Sequence, residues 1–204
     1  MADTVYEALR RAIVEHEFDA GEPLTEQELS RRFKVSRTPV REALAKLERD
    51  RLVRVVPKKG AFVRTVSADE IRELYQLREV LEALAIRLAA PRLDVGDLAG
   101  FDARFRAMGR RPTYAEVRAV GEEFHNFLVK RSGNAKLMEM LEQIREQIRS
   151  VWNMSIMAPR RAQALAKEHL AILDALKRGQ ARRAEGLMVA HVRRVRDTIF
   201  HLLD

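Results

Sequence analysis

The chain has 204 residues, 47% of them hydrophobic, a formal charge of +8 and no cysteine. That length allows one large or two small domains with ordinary cores, and the lack of cysteine excludes disulfides and thiolate metal sites and fits a cytoplasmic protein. No apolar run of about 18 residues occurs and the N-terminus carries acids throughout, so neither a transmembrane helix nor a signal peptide is expected.

Val5, Leu9, Ile13 and Val14 recur at helical spacing and predict a first helix over Thr4 to His16, closed by Asp19-Ala20-Gly21. Pro23 stiffens the approach to the next element, and Thr25 with Glu28 forms a T-x-x-E capping box that opens a second helix. Leu29 and Phe33 give that helix an apolar face. After a turn at Lys34-Val35-Ser36, Val40, Ala43, Leu44 and Leu47 stripe a third helix, with Ser36 suited to its N-cap and Pro39 to its first turn. Arg37, Thr38 and Arg41 remain outward at its start. Free backbone N–H groups, two guanidinium groups and a hydroxyl form a surface that suits an anion, and DNA is a common one.

The period changes after Asp50. Leu52–Val56 and Ala61–Val66 read as two strands joined by Pro57-Lys58-Lys59-Gly60, a hairpin with a basic tip. Three helices and a hairpin make a winged helix-turn-helix over residues 1–66. Between Arg31 and Arg64 twelve Lys/Arg face three acids, a net of +9, while the other 170 residues net −1. Confinement of positive charge to this segment suits a nucleic-acid surface, with Arg37 and Arg41 addressing guanine edges or phosphates and Lys58 and Lys59 reaching an adjacent groove or backbone.

From residue 67 to 204 the pattern is helical throughout. Six helices are placed at Ala68–Ala90, Val95–Met108, Thr113–Arg131, Ala135–Met157, Arg160–Arg178 and Ala181–Leu203, giving a mainly α chain that ends in a six-helix antiparallel bundle. Three of the five histidines, His125, His169 and His191, lie inside apolar stripes on three of these helices. A single buried histidine is ordinarily a core residue with a hydrogen-bond partner. Three in one bundle open a second reading, in which one shared metal ion satisfies all of them. Arg78 stands where the stripe of the first bundle helix calls for a leucine. It is either the i,i+4 partner of Glu82 or a guanidinium ready to hold a carboxylate, and Trp152 and Asn153 are further candidates to line the same pocket.

The segment LTEQELSRRFKVSRTPVREALAKLERDRLVRVVPKKGAFV resembles the DNA-binding domain of the GntR family of bacterial transcriptional regulators. The resemblance implies operator contacts from Gln27, from Ser36, Arg37 and Thr38, from Arg41, and from Lys59 beside Gly60. EEFHNFLVKRSGN and KEHLAILDALKRGQARRAEGLMVAHV are similar to the FCD ligand-binding domain of one branch of that family. This second resemblance implies a divalent ion, zinc with nickel or manganese as alternatives, held by His125, His169 and His191. The aspartate that completes such sites would fall at position 121, which is glycine here, and Glu122 points away around the helix. It also implies an arginine beside the ligand cavity, matched by Arg78. Asn153, a candidate from the sequence itself, is taken as a second effector contact.

The reading that follows is a homodimeric, effector-responsive regulator, a repressor of operator DNA controlled by a small organic acid, without enzymatic activity and without a membrane role. Two alternatives stay open: a regulator for which the ion itself is the signal, and a metal-dependent hydrolase, since three histidines with an open position is also a catalytic zinc arrangement.

Overall fold

The computed structural model describes residues 2–65, 67–151 and 159–203. The chain divides into two compact units, Met1–Ser67 with Gln143–Asn153, and Ala68–Glu142 with Met154–Asp204.

In the first unit, α1 (Ala2–Val14) buries Val5, Leu9 and Ile13. It stops two residues before the expected end because His16 adopts φ 59°, where an α-helix cannot continue, and Glu17 N–H bonds back to Ala12 C=O at 2.8 Å. A short strand β1 (Pro23–Leu24) leads to α2 (Glu26–Phe33). Thr25 accepts from the Glu28 N–H at 3.3 Å and donates its hydroxyl to the Glu28 carboxylate at 2.6 Å, so the predicted capping box forms only in its Thr25 half, the carboxylate taking the hydroxyl in place of the backbone N–H. Helix α3 (Arg37–Arg49) buries Val40, Ala43, Leu44 and Leu47 and lies against α1, α2 and the strand that follows.

Strands β2 (Val53–Val56) and β3 (Gly60–Val63) pair antiparallel, Val53 opposite Val63 and Val56 opposite Gly60. Lys58 at φ 65° and Gly60 at φ 102° make the turn, and Gly60 holds a conformation that a side chain would strain. Strand β1 adds to the other edge of β3, Leu24 opposite Ala61, giving the order β1-β3-β2. The sequence reading has Pro23 only as a stiff approach. Two residues are too few to display a strand period, and proline is tolerated on an edge.

One apolar cluster joins these elements, from Val5 and Leu9 through Leu47 to Val63. Leu47 is fully buried within it. Leu47→Ala is expected to lower the unfolding free energy of this unit by about 2–5 kcal/mol, read as a shifted denaturant midpoint with an unchanged slope. A loss of a few tenths would mean that Leu47 is not part of a close-packed core.

In the second unit, all six predicted helices are present: α4 (Ala68–Ala89), α5 (Val95–Ala107), α6 (Tyr114–Ser132), α7 (Ala135–Val151), α8 (Pro159–Lys177) and α9 (Ala181–Leu203). The fourth was expected to reach Met157, a stretch outside the described residues, and the half of α7 from Gln143 groups with the first unit. Capping boxes Asp94/Asp97 and Thr113/Glu116 start α5 and α6, and Gly133 in the left-handed region ends α6. Helix α4 lies against α6 and α9, and α8 lies against α6 and α9. Those four helices therefore close a ring, and its interior receives side chains from all of them.

Candidate functional site

Two groups of residues gather chemistry, one in each unit. In the first unit the start of α3 is left open. Ser36 occupies the N-cap position with extended backbone, but its side chain makes no cap hydrogen bond, and no acid lies in the first turn of the helix. The cap bond expected from Ser36 is therefore absent, and the positive end of the helix dipole is uncompensated by its own helix. Burial of Val40, Ala43, Leu44 and Leu47 turns Arg37, Thr38 and Arg41 to the exposed side.

A cleft of about 680 Å³ runs between α2, α3 and the hairpin. Gln27, Arg37, Arg41, Lys58, Lys59 and Gly60 line it, with Leu24, Leu44 and Ala61 as apolar floor. Ser36 and Thr38 are exposed at the start of α3 but do not line it. Two acids missed in the sequence also line the cleft: Glu26, whose Oε1 meets Arg41 Nε at 2.6 Å, and Glu48, whose Oε1 accepts from the Val55 N–H at 3.0 Å. Their spacing to their partners, 15 and 7 residues, crosses element boundaries, so no helical period reveals them.

In the second unit the ring of helices brings the three histidines together. His125 on α6, His169 on α8 and His191 on α9 are buried, and one ligand nitrogen from each lies within 4.8 Å of the others. Each ring is held from behind. His125 Nδ1 meets Glu82 Oε2 at 2.9 Å, His169 Nδ1 meets the Leu165 carbonyl at 2.9 Å, and His191 Nδ1 meets Glu168 Oε2 at 2.8 Å. Every one of these partners is an acceptor, so Nδ1 carries the proton and, in the neutral ring, Nε2 keeps its lone pair. His125 Nε2 and His169 Nε2 face each other at 3.3 Å, and when both rings are neutral neither can donate to the other. Buried acceptors turned on one another are unfavourable unless something positive lies among them. The donor set thus fits a divalent ion that accepts imidazole nitrogen.

Burial pulls the His169 imidazole well below its usual range, and the neighbouring His191 adds to the effect. Burial likewise brings His191 down to about 4, against the opposing hydrogen bond to Glu168. Both rings are neutral at pH 7, the form that ligates metal. Burial works to raise the Glu168 carboxyl, yet the hydrogen bonds from His191 and Arg161 outweigh it and hold it at about 2.

Two of the three supports extend to a guanidinium group. Arg161 meets both oxygens of Glu168, at 2.8 and 3.2 Å, and Arg78 Nε meets Glu82 Oε1 at 3.3 Å. The chains Arg78–Glu82–His125 and Arg161–Glu168–His191 therefore reach the same centre from α4 and α8. The sequence reading offered Glu82 only as the i,i+4 partner of Arg78. Here the Glu82 side chain is fully buried and Arg78 is 14% exposed, so the pair is not a solvent-screened surface ion pair, and leaving either charge without the other would be costly. His169 has a different support, its ring stacked on Phe105 with centroids 4.9 Å apart. Trp152 and Asn153 lie outside the described residues.

Gly121 is buried at the same centre. A Cβ there would stand 2.9 Å from both Cε1 and Nε2 of His169, closer than carbon atoms pack. The bare glycine is what lets the His169 ring lie against α6, so the space a carboxylate-bearing side chain would need is occupied by the imidazole. Glu122 is partly exposed and faces Arg118 at 3.9 Å, apart from the three histidines.

Residues 1–63 match the family "Bacterial regulatory proteins, gntR family" and residues 73–194 match the FCD domain. The chain is 31% identical over 193 residues to the Nta operon transcriptional regulator of Aminobacter aminovorans, covering 93% of this chain and 90% of that one. It is 27% identical over 198 residues to the HTH-type transcriptional repressor RspR of Escherichia coli, covering 96% and 87%. Among solved structures, a putative GntR transcriptional regulator from Rhodococcus sp. RHA1 superimposes with a TM-score of 0.80 at 27% identity, over 98% of this chain and 97% of the other. Escherichia coli McbR/YncC also reaches 0.80, at 20% identity over 100% and 98%, and shares the fold. The matched family and the curated relatives are transcriptional regulators and not enzymes, which removes the hydrolase alternative. With both of its parts matched, the chain belongs to the GntR family of bacterial DNA-binding transcriptional regulators, in the branch that carries an FCD domain.

Proposed function

We propose that this regulator is a homodimeric repressor whose FCD domain, residues 67–204, binds a small carboxylate at a divalent ion held by His125, His169 and His191, and so controls operator binding by residues 1–66. The observation that carries the effector half of this reading is the convergence of three buried Nε2 lone pairs, each fixed by an acceptor behind its ring. Three neutral imidazoles leave the ion its full charge, and when bound it would supply a strong electrostatic anchor for an anion. Arg78 and Tyr75 support a carboxylate in particular. The Tyr75 phenol is fully buried beside Arg78, whose guanidinium lies 5.7 Å from its ring, and among the described residues no acceptor meets its O–H. A phenolic donor without an acceptor beside a charged guanidinium is a site for an anionic oxygen.

In the other half, Gln27, Ser36, Arg37, Thr38 and Arg41 meet the major groove, and Lys58, Lys59 and Gly60 meet the neighbouring backbone or groove. One winged helix reads a single half-site, so useful specificity calls for two copies. The name of the RspR relative, a transcriptional repressor, favours repression.

The test is operator affinity of the full chain, measured with zinc alone, with a panel of small organic acids alone, and with both. Zinc and one acid together are expected to change affinity by about 5–150-fold, the range of ordinary allosteric coupling, while zinc alone changes little. A full response to zinc alone would transfer the signal to the ion, and no response to any combination would defeat the proposal.

A further inference from the structure

Arg41 is a cation of the cleft held by an acid that also lines it. Its side chain is 66% exposed, yet Nε meets Glu26 Oε1 at 2.6 Å, and Glu26, the first residue of α2, is 32% exposed. A negative charge in a surface that meets DNA works against binding, because phosphate repels it. Its presence calls for a return elsewhere, and the geometry identifies one. Arginine reads guanine with two parallel N–H groups directed at O6 and N7, which requires the planar guanidinium to be held in one orientation. A carboxylate on Nε fixes the plane and leaves the two terminal amino groups as the pair that faces outward chemistry. Arg37, on the same cleft, has no hydrogen bond or ion pair among the described residues and keeps its rotamer freedom.

We infer that Glu26 is a positioning residue for sequence readout: it orients Arg41 for bidentate recognition of one guanine, at the expense of general attraction to DNA. Specificity and non-specific affinity are then set by opposite tendencies at the same pair. Removing the Glu26 charge while keeping its size frees Arg41 to rotate, which weakens the chosen sequence, and removes a repulsion, which strengthens all others. A residue that only stabilised α2 would weaken both together. A residue that only repelled phosphate would strengthen both together.

This inference rests on the assignment of the start of α3 to DNA, and the variants separate the two. The probe is a duplex enriched from a randomised pool by the unaltered protein, compared with a shuffled duplex of the same length at one salt concentration. Glu26→Gln is expected to weaken the enriched duplex roughly tenfold, to leave the shuffled duplex unchanged or tighter, and to relax selection at one guanine. Arg41→Ala is expected to lose the same guanine, and the double variant should be no worse than Arg41→Ala alone, since the two act as a unit. If Arg41→Ala has no effect on the enriched duplex, the DNA assignment of this position fails and the inference with it. If Arg41→Ala loses a guanine but Glu26→Gln keeps it, or shifts both duplexes equally, the assignment stands and the role of Glu26 is overturned.

Discussion

Zinc added to metal-stripped protein is expected to raise its melting temperature by roughly 5–10 °C at a free concentration a hundredfold above its dissociation constant. The figure follows from mass action, which adds about 2.7 kcal/mol at that excess, and from the few degrees per kcal/mol typical of chains this long. The combined His169→Ala and His191→Ala variant should fold and lose the shift, because a single imidazole is left. Glu168→Gln, which keeps the histidines but weakens the acceptor behind His191, is expected to reduce zinc affinity about 10–100-fold. The donor set also ranks the ions. All three donors are neutral nitrogen, with the carboxylates of Glu82 and Glu168 engaged on the far side of the rings. Zinc and nickel should therefore bind more tightly than manganese, which favours carboxylate and water oxygen. A protein that shows no shift with any of the three ions would falsify the metal assignment and leave the histidines as a buried polar cluster.

Arg37→Ala is expected to weaken binding to an enriched operator duplex by about 1–3 kcal/mol, the range for loss of a base-reading arginine. Arg37 is exposed at the first position of α3, lines the cleft, and sits where the helix lacks an acid of its own. Its loss should blur selection at one base pair. Lys59→Ala, at the tip of the hairpin, should instead weaken all sequences alike and lower the salt slope by about one. Fluorescence anisotropy on enriched and shuffled duplexes over a range of salt distinguishes the two patterns. Unchanged affinity for the enriched duplex in the Arg37 variant would remove α3 from the role of reading helix.

Much of the fold was legible in consecutive residues. The stripe Val40, Ala43, Leu44, Leu47 predicts α3 because a helix that buries one face repeats every 3.6 residues. The capping pair at Thr25 and Glu28 is equally local, since it is closed by atoms within four residues. The histidines were legible for the same reason, as polar residues inside apolar stripes. Strand β1 was not legible, because its two residues are extended only through pairing with β3.

The supports of the site escaped sequence reading for a related reason. Glu82 and His125 are 43 positions apart, Glu168 and His191 are 23 apart, and nothing in the spacing of either pair carries a period. Gly121 read as a missing ligand, a departure from a pattern. In the folded chain it is a contact surface, the bare stretch of α6 against which the His169 ring packs. Composition, periodicity and capping are properties of neighbours along the chain, so they determine which segments become helices and which face each one buries. Which carboxylate stands behind which imidazole depends on how four helices close into a ring, and that is set by side-chain packing across long separations. The identity of the elements was therefore written locally, while the chemistry at their centre arises only where they meet.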